Sequence, residues 1–257
     1  MTDPAPTTDA RPSDDLPLAG VIVLDKPYRK SSTSMVSLVK GRLRAAGAPK
    51  RVKVGHAGTL DPLATGVLVI LVGRATKLSG QVMQGVKHYR ALVDLSQNST
   101  TDDLEGELTP VPVAEPPTAE HVRAILDDRF TGVVQQTPPV HSAIKVNGQR
   151  SYRLARADTA SALEARPVRI DSIDIVRYDF PELELDVVCG KGTYIRSLAR
   201  DIGVALHTGG MLGALRRTRV GAFSIENSIT PEGLPERMTQ ADLTVTPEVE
   251  ALRAPKA

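Results

Sequence analysis

The chain is short of the residues that lock a structure covalently or through a metal. Its 257 residues include one cysteine, Cys189, so neither an internal disulfide nor a paired-cysteine zinc clamp can form. The five histidines, at positions 56, 88, 121, 141 and 207, never recur at the short spacings of a metal site. No metal and no cofactor is expected. Tryptophan is absent and aromatic residues make up 3% of the chain, which makes each tyrosine conspicuous. No apolar run approaches the ~18 residues of a membrane span. The opening "MTDPAPTTDARPSDDLPL" has neither the basic start nor the apolar core of a signal peptide. These absences predict a soluble cytoplasmic protein without membrane association, and the lack of heptads or repeats makes a monomer the default.

Acid is missing from one long stretch. Between Asp25 and Asp94 stand thirteen Lys or Arg residues and one carboxylate, Asp61. The formal net charge is only +2, so the asymmetry lies in distribution. Lys26, Arg29, Lys30, Lys40, Arg42, Arg44, Lys50, Arg51 and Lys53 precede Asp61 with no acid among them. That pattern fits a footprint on a phosphate backbone and equally a solvated helix face.

With 41% hydrophobic residues the chain has enough apolar material for one large core. Residues 1–17, rich in Pro, Thr and Asp, and the weakly patterned stretch from about Thr239 are both expected to be poorly ordered. Between them, "GVIVLDKP" reads as a strand and "TSMVSLVKGRLRAAG" as a helix with Met35, Leu38, Val39 and Leu43 on one face. "VLVILVG" and "HYRALVDLS" read as strands flanking a helix in "ATKLSGQVMQG". "QNSTTDDLEGELTPVPVAEPP" reads as an irregular loop. "TAEHVRAILDDRF" fits a helix capped by Thr118. A strand, a Pro-broken loop, a turn at Asn147-Gly148 and a short basic helix follow. "RPVRIDSIDIVRYDF" and "ELELDVVCG" then alternate as half-buried strands. Strands outnumber the helices needed to connect them in parallel, so the expected fold is α+β, a mixed and largely antiparallel sheet flanked by helices and loops.

Asp61 sits in "GHAGTLDPLATG". Asp-Pro is a common helix start, with the acid capping backbone N–H groups. Yet only Leu63, Ala64 and Thr65 separate Pro62 from Gly66, which opens a β-branched strand, so little helix remains to cap. Gly55, Gly58 and Gly66 indicate a backbone path that needs positive φ or close approach, and Pro62 biases Asp61 toward an extended conformation. A carboxylate with only neutral and cationic neighbours is expected to be ionised, as suits a nucleophile or general base. No second carboxylate lies near it in sequence to make a paired-acid glycosidase site, and no GxSxG elbow is present.

In "CGKGTYIRSLARDIGVAL", residues 189–206, the apolar spacing predicts a helix beginning near Gly192 or Thr193. Lys191 and Arg196 then fall near its N-terminal end, where cations oppose the helix dipole. They could meet a phosphate, a carboxylate such as Asp61, or only solvent. The GxxxxGK[ST] spacing of an ATPase is absent. Tyr89, on the basic strand "KHYRALVDL", could stack on an unpaired base or simply be packed with its hydroxyl satisfied. Taken together these residues describe an enzyme that acts on a nucleotide flipped out of a polynucleotide.

The blocks "VGHAGTLDPLATGVLVI", "ATKL", "KHYRALVDL", "QTPPVHSAIKVNGQRSY", "RPVRI", "KGTYIRSLARDIG" and "LRRTRVGAF", in that order, closely resemble the bacterial tRNA pseudouridine-55 synthase family over roughly residues 19–230. The resemblance implies the pseudouridine-synthase α+β catalytic domain and conversion of the T-loop uridine of tRNA to pseudouridine without cofactor or metal. It implies that Asp61 is the catalytic aspartate, as nucleophile or as base, that Arg196 partners it and that Tyr89 stacks on the uracil. It further implies that His56 enters the T loop, that Lys77 and Tyr194 line the site, that Leu215 is an apolar contact and that residues 131–165 form an insertion that closes on RNA. The chain departs from the family in two places. Only about 27 residues follow Thr230, too few for the family's usual C-terminal RNA-binding (PUA-type) module, so 231–257 is expected to be a short tail. "DKPYRKSSTSMV" is also more basic than the usual start. Two other readings are an RNA-binding or tRNA-folding protein on the same scaffold, and a guide-dependent synthase on another RNA.

Overall fold

The computed structural model describes residues 18–139, 145–146, 149–150 and 164–253. Nine strands form one sheet in the order β1 (Ala19–Lys26), β3 (Ala64–Gly73), β12 (Met211–Val220), β4 (Lys87–Asp94), β11 (Glu182–Cys189), β10 (Arg166–Asp179) and β7 (Gly132–Gln136). Two short strands join from the side: β2 (Val54–His56) pairs with β3, and β13 (Phe223–Ser224) with β12. Only β3 and β12 run parallel; every other pair in the sheet is antiparallel. Among the described residues the helices are α1 (Ser32–Ala45), α2 (Ser79–Gln84), α3 (Ala119–Arg129), α4 (Ile195–Leu206) and α5 (Pro247–Arg253). The α+β expectation of a mixed, largely antiparallel sheet holds.

Alternation decides which face each strand buries. On β11, Leu183, Leu185 and Val187 are buried while Glu182, Glu184 and Asp186 point away. The three pack with Leu126 of α3 and with Leu198 and Ile202 of α4. Strand β3 lies between β1 and β12 and is covered on both faces, hence its uninterrupted run of apolar residues. Leu68, Ile70 and Val72 join the core beneath α1, with Met35, Val39 and Leu43, whereas Val67, Val69 and Leu71 join a third cluster on the opposite face. Tyr89 and Leu215 touch both the α3/α4 core and the α1 core, so they mark the seam between them.

The predicted helix starts are sound where a side chain caps them. Ser31 accepts from the Ser34 N–H at 3.0 Å before α1, and Thr118 accepts from the His121 N–H at 3.2 Å before α3. Helix α4 begins three residues later than Gly192, at Ile195, because Gly192 has φ +85° and the chain is still turning there. "ATKLSGQVMQG" divides into a 3-10 turn over Arg74–Leu78 and the short α2.

Two expectations fail. The loop after β4 contains a two-stranded ribbon, β5 (Gln97–Ser99) with β6 (Leu108–Pro110), whose connection carries Asp102 and Asp103. The stretch from Thr239, expected to be poorly ordered, is packed through Arg253. Thr244 exchanges two backbone hydrogen bonds with Val21, at 2.8 and 2.9 Å, and Leu243 and Val249 are buried. The reason is the open edge of β1: unpaired strand groups need partners, and this segment and Ile229 supply them. β8 (Lys145–Val146) and β9 (Gln149–Arg150) pair antiparallel, while the predicted Asn147-Gly148 turn between them lies outside the described residues. The basic helix expected after it, most of the 131–165 insertion and residues 1–17 lie outside the described residues.

Candidate active site

Asp61 lies in the short connection between β2 and β3. No helix follows it; the Ala64 N–H returns to the Asp61 carbonyl at 3.1 Å and β3 begins at once. The helix-cap reading is thereby removed. The carboxylate instead meets Arg196, the second residue of α4, with Oδ2 3.0 Å from Nε. Arg196 is buried and its Nη1 also lies 3.5 Å from Asp103 Oδ2. A cation in the first turn of a helix is unfavourable by dipole alone; two carboxylates offset that cost here.

Asp103 is the residue that sequence reading missed. It reaches the site from the β5–β6 connection and is fixed by the Thr101 hydroxyl at 2.6 Å and the Glu105 N–H at 3.0 Å. Its presence corrects the picture of Asp61 as an acid among cations only. Burial pushes the Asp61 carboxyl above its ordinary 3.8, Arg196 pulls it down, Asp103 pushes it up and Lys26 pulls it down. The net direction is upward. The side chain retains 40% of its accessibility, so water still reaches the carboxylate and tempers the dehydration, and the contact with Arg196 favours its charged form.

The cleft beside this pair has a volume of about 280 Å³ and brings together Asp61, Tyr89, Lys191, Tyr194, Arg196 and Leu215. All six were candidates from sequence. Tyr89, on β4, has its phenol raised by burial, with Arg217 opposing that shift. The Tyr194 backbone is clamped by Gln136, whose amide accepts from the Tyr194 N–H at 2.8 Å and donates to its carbonyl at 3.0 Å. The Arg166 guanidinium lies 5.3 Å from the centre of the Tyr194 ring. Lys87 also borders the cleft, and burial lowers its pKa.

Two candidates stand apart. His56 closes β2 and does not border the cleft; its Nδ1 is buried without a partner, and burial, aided by Arg217, lowers its pKa. Lys77, on the 3-10 turn, borders a separate cavity of about 370 Å³ with Arg51, Lys53 and Arg74. Lys26 leaves the basic footprint altogether. It is fully buried, donating Nζ to the carbonyls of Pro27 (3.0 Å), Lys30 (2.7 Å) and Pro62 (3.2 Å), and burial lowers its pKa to about 8. It ties the end of β1 to the residue after Asp61. Nothing in a sequence separates such a lysine from a solvated one.

Among the described residues no cluster of His, Cys, Asp and Glu could hold a metal, and no helix is long and apolar enough to cross a membrane.

Family models and relatives of this sequence place it among the pseudouridine synthases by class. The fold agrees. An archaeal box H/ACA sRNP Nop10–Cbf5 complex matches with TM-score 0.58 and 29% identity over 83% of this chain and 51% of that one. A Cbf5–Nop10–Gar1 complex matches with TM-score 0.60 and 28% identity over 87% and 59%. The chain thus spans between half and three-fifths of these solved chains. The model of the TruB family pseudouridylate synthase N-terminal domain matches residues 45–195, and that of the tRNA pseudouridylate synthase B C-terminal domain matches 196–254. Tyr194 and Arg196 therefore fall on either side of the boundary between the two. Proteins named tRNA pseudouridine synthase B are 42% identical in Phocaeicola vulgatus, over 87% of this chain and 94% of that one. They are 44% identical in Mycobacterium tuberculosis H37Rv, over 85% and 72%, and in Thermobifida fusca, over 91% and 79%. The chain belongs to the TruB family of pseudouridylate synthases.

Proposed function

We propose that this protein isomerises the T-loop uridine of tRNA, at position 55, to pseudouridine, with Asp61 as the group that initiates the reaction. Membership of the family makes it a tRNA pseudouridine synthase. The observation that carries the role of Asp61 is its pairing with buried Arg196 on the wall of a cleft whose other side is Tyr89. The uridine has to leave its stack to enter such a cleft. The N1–C1′ bond breaks, the uracil turns, C5 bonds to C1′, and the C5 proton is lost while N1 gains one. The substrate and product have the same composition, so the balance calls for no oxidant and no second substrate. An ionised Asp61 serves as nucleophile at the sugar or as the base that removes a ribose proton, and Arg196 holds it in that state. Tyr89 stacks on the uracil, with Leu215 and Tyr194 completing the walls and Lys191 at the rim for phosphate.

His56, with an unpartnered Nδ1 at the entry to the Asp61 loop, suits insertion into the RNA loop vacated by the flipped base. The exposed Arg51, Lys53 and Lys77 suit backbone contacts beyond the cleft. We place the activity in the cytoplasm, on a monomer that binds the T stem-loop. The test is release of tritium from C5-labelled uridine in a T-arm RNA. Turnover by the wild type and none by Asp61→Asn is the expected result. No release by the wild type would defeat the functional reading, and normal release by Asp61→Asn would defeat the site.

A further inference from the structure

Arg217 lies where three strands meet. On β12 it pairs in register with Gly66 of β3 on one side and with Tyr89 of β4 on the other. It is 2% exposed, and among the described residues no carboxylate pairs with it. Buried arginines are ordinarily held by an acid. This one is held by carbonyls: Nε donates to Val67 at 2.8 Å, Nη2 to Gly58 at 3.1 Å and Nη1 to Thr59 at 3.3 Å. It stands directly opposite Tyr89 in the β12–β4 ladder, and its charge opposes the effect of burial on the Tyr89 phenol.

Gly58 and Thr59 belong to the loop that ends at Asp61, so the guanidinium holds the loop that carries the acid from a strand position directly opposite the aromatic wall that faces it. The glycines of "GHAGTLDPLATG" fit the same arrangement. Gly58 and Gly66 have φ of +108° and +100°, values L side chains rarely adopt. A Cβ on Gly66 would stand 2.2 Å from the Arg217 carbonyl oxygen, and one on Gly58 would stand 3.7 Å from Nη1. The loop is therefore laid directly over Arg217. The cation also opposes the effect of burial on the Tyr89 phenol and adds to burial in lowering Lys87, two groups that border the cleft with it.

We propose that Arg217 is the positioning residue of this active site: by tying the Gly58-Thr59 backbone through one planar fork to the strand position opposite Tyr89, it fixes where Asp61 stands relative to the base stacked on Tyr89. The planarity matters. A guanidinium presents five N–H donors in fixed directions, whereas an ammonium is a point charge on a flexible stem. A displacement of ~1 Å at a reacting group costs on the order of 100-fold in rate. The proposal rests on the isomerase reading of the cleft and adds to it a group that acts through Asp61 and Tyr89 without itself reacting.

The experiment uses the full chain with Arg217→Lys, Arg217→Met and Tyr89→Phe, alone and combined. The readouts are Tm, the Kd for a T-arm RNA and the single-turnover rate of C5-tritium release at saturating RNA. Arg217→Lys keeps the buried charge and loses the fork, so it decides the case. It is expected to lower the rate by roughly 10–100-fold with Kd within about threefold, and Arg217→Met to lower it further. Tyr89→Phe is expected to cost less in the Arg217→Lys background than in the wild type, since the placement of Asp61 against that ring is already disturbed there. A folded Arg217→Lys with the wild-type rate would overturn the proposal. So would a loss confined to Kd, or strict additivity with Tyr89→Phe. If Arg217→Met does not fold, the lysine variant and its cycle with Tyr89→Phe still decide the question. A wild type that releases no tritium defeats the functional reading; a turning-over wild type with indifferent Arg217 variants defeats this inference alone.

Discussion

Replacing Arg196 with methionine removes the one cation that two carboxylates share. The substitution keeps much of the aliphatic stem, so the principal loss is charge. Asp103, with 7% of its side chain accessible, is left with the Thr101 hydroxyl and the Glu105 N–H. Removing one partner of a buried ion pair costs about 3–5 kcal/mol, because the other charge stays behind. Asp61, with 40% accessible, is partly rehydrated and adds at most about 1 kcal/mol. At roughly 2–4 °C per kcal/mol for a chain of this size, a total cost of about 3–6 kcal/mol lowers Tm by roughly 6–24 °C at neutral pH.

The pH dependence follows from Asp61. Its folded pKa already lies above 3.8, for burial first, and Arg196 is the largest influence holding it down. Without Arg196 it rises further. A carboxyl whose folded pKa exceeds its unfolded one destabilises the fold fully above the folded pKa, and the penalty disappears as pH falls through that value toward 3.8. The Tm deficit of Arg196→Met is therefore expected to be largest at pH 7–8 and to shrink on acidification, and the acid limb of its single-turnover profile to move to higher pH than in the wild type. Thermal scans and C5-tritium release with saturating T-arm RNA, from pH 5 to 8.5, measure both. The rate at pH 7 should fall at least ~100-fold, as when a preorganised charge is removed from a closed site. A Tm deficit equal at pH 5 and pH 8, or a wild-type rate in a folded variant, would refute this account of the pair.

Gly66→Ala combines a φ of +100° with a Cβ placed 2.2 Å from the Arg217 carbonyl, so a loss of more than about 2 kcal/mol is expected; denaturant titration with a midpoint unchanged from wild type would contradict the close approach. Cys189 is fully buried and burial pushes its thiol up to about 11, which predicts negligible labelling by a thiol reagent at pH 8 in the native protein and rapid labelling in denaturant; fast native labelling would show that the β10–β11 face opens. Neutralising Arg51, Lys53 and Lys77 to Gln should weaken RNA binding and reduce the slope of log K against log salt by about 0.7–0.9 for each phosphate that is no longer neutralised, with saturating turnover unchanged; an unchanged slope would remove this face from the RNA footprint. Lys26→Gln, by contrast, should leave that slope alone, because Lys26 is buried.

The parts of the fold that follow from local rules were legible in the sequence. Period-two alternation identified β10 and β11, 3.6-residue spacing identified α1 and α4, and Thr118 marked the start of α3 through its hydroxyl. What escaped depends on partners distant in the chain. The β5–β6 ribbon has no apolar alternation to announce it, being held by its own ladder and by Asp103 opposite Leu212. The last segment looks polar and unpatterned because its task is to pair with the β1 edge through backbone groups, which any residue supplies. Lys26 read as part of the basic stretch and Gln136 drew no notice, since a sequence records that a side chain is polar but not that its partners are buried backbone groups.

The site shows the same division with a chemical consequence. Asp61 was conspicuous because it is alone among cations over nearly seventy residues, and Arg196 because it stands at the wrong end of its helix. Each anomaly pointed to the other, and the 3.0 Å contact joins them. Asp103 produced no anomaly of its own. It sits in the acidic run "DDLEGE", where a further carboxylate is unremarkable, and only the docking of the β5–β6 connection on Leu212 brings it to Arg196. Burial, with Asp103 adding to it, reverses the simplest electrostatic conclusion. With Arg196 alone, Asp61 would be pulled down; with burial and a second acid sharing that arginine, it is pushed up. Arg196 is divided between an immobile, buried carboxylate and a half-exposed one at the mouth of the cleft. The buried acid fixes the arginine in place, and the arginine then offers a fixed partner to the acid that meets the substrate.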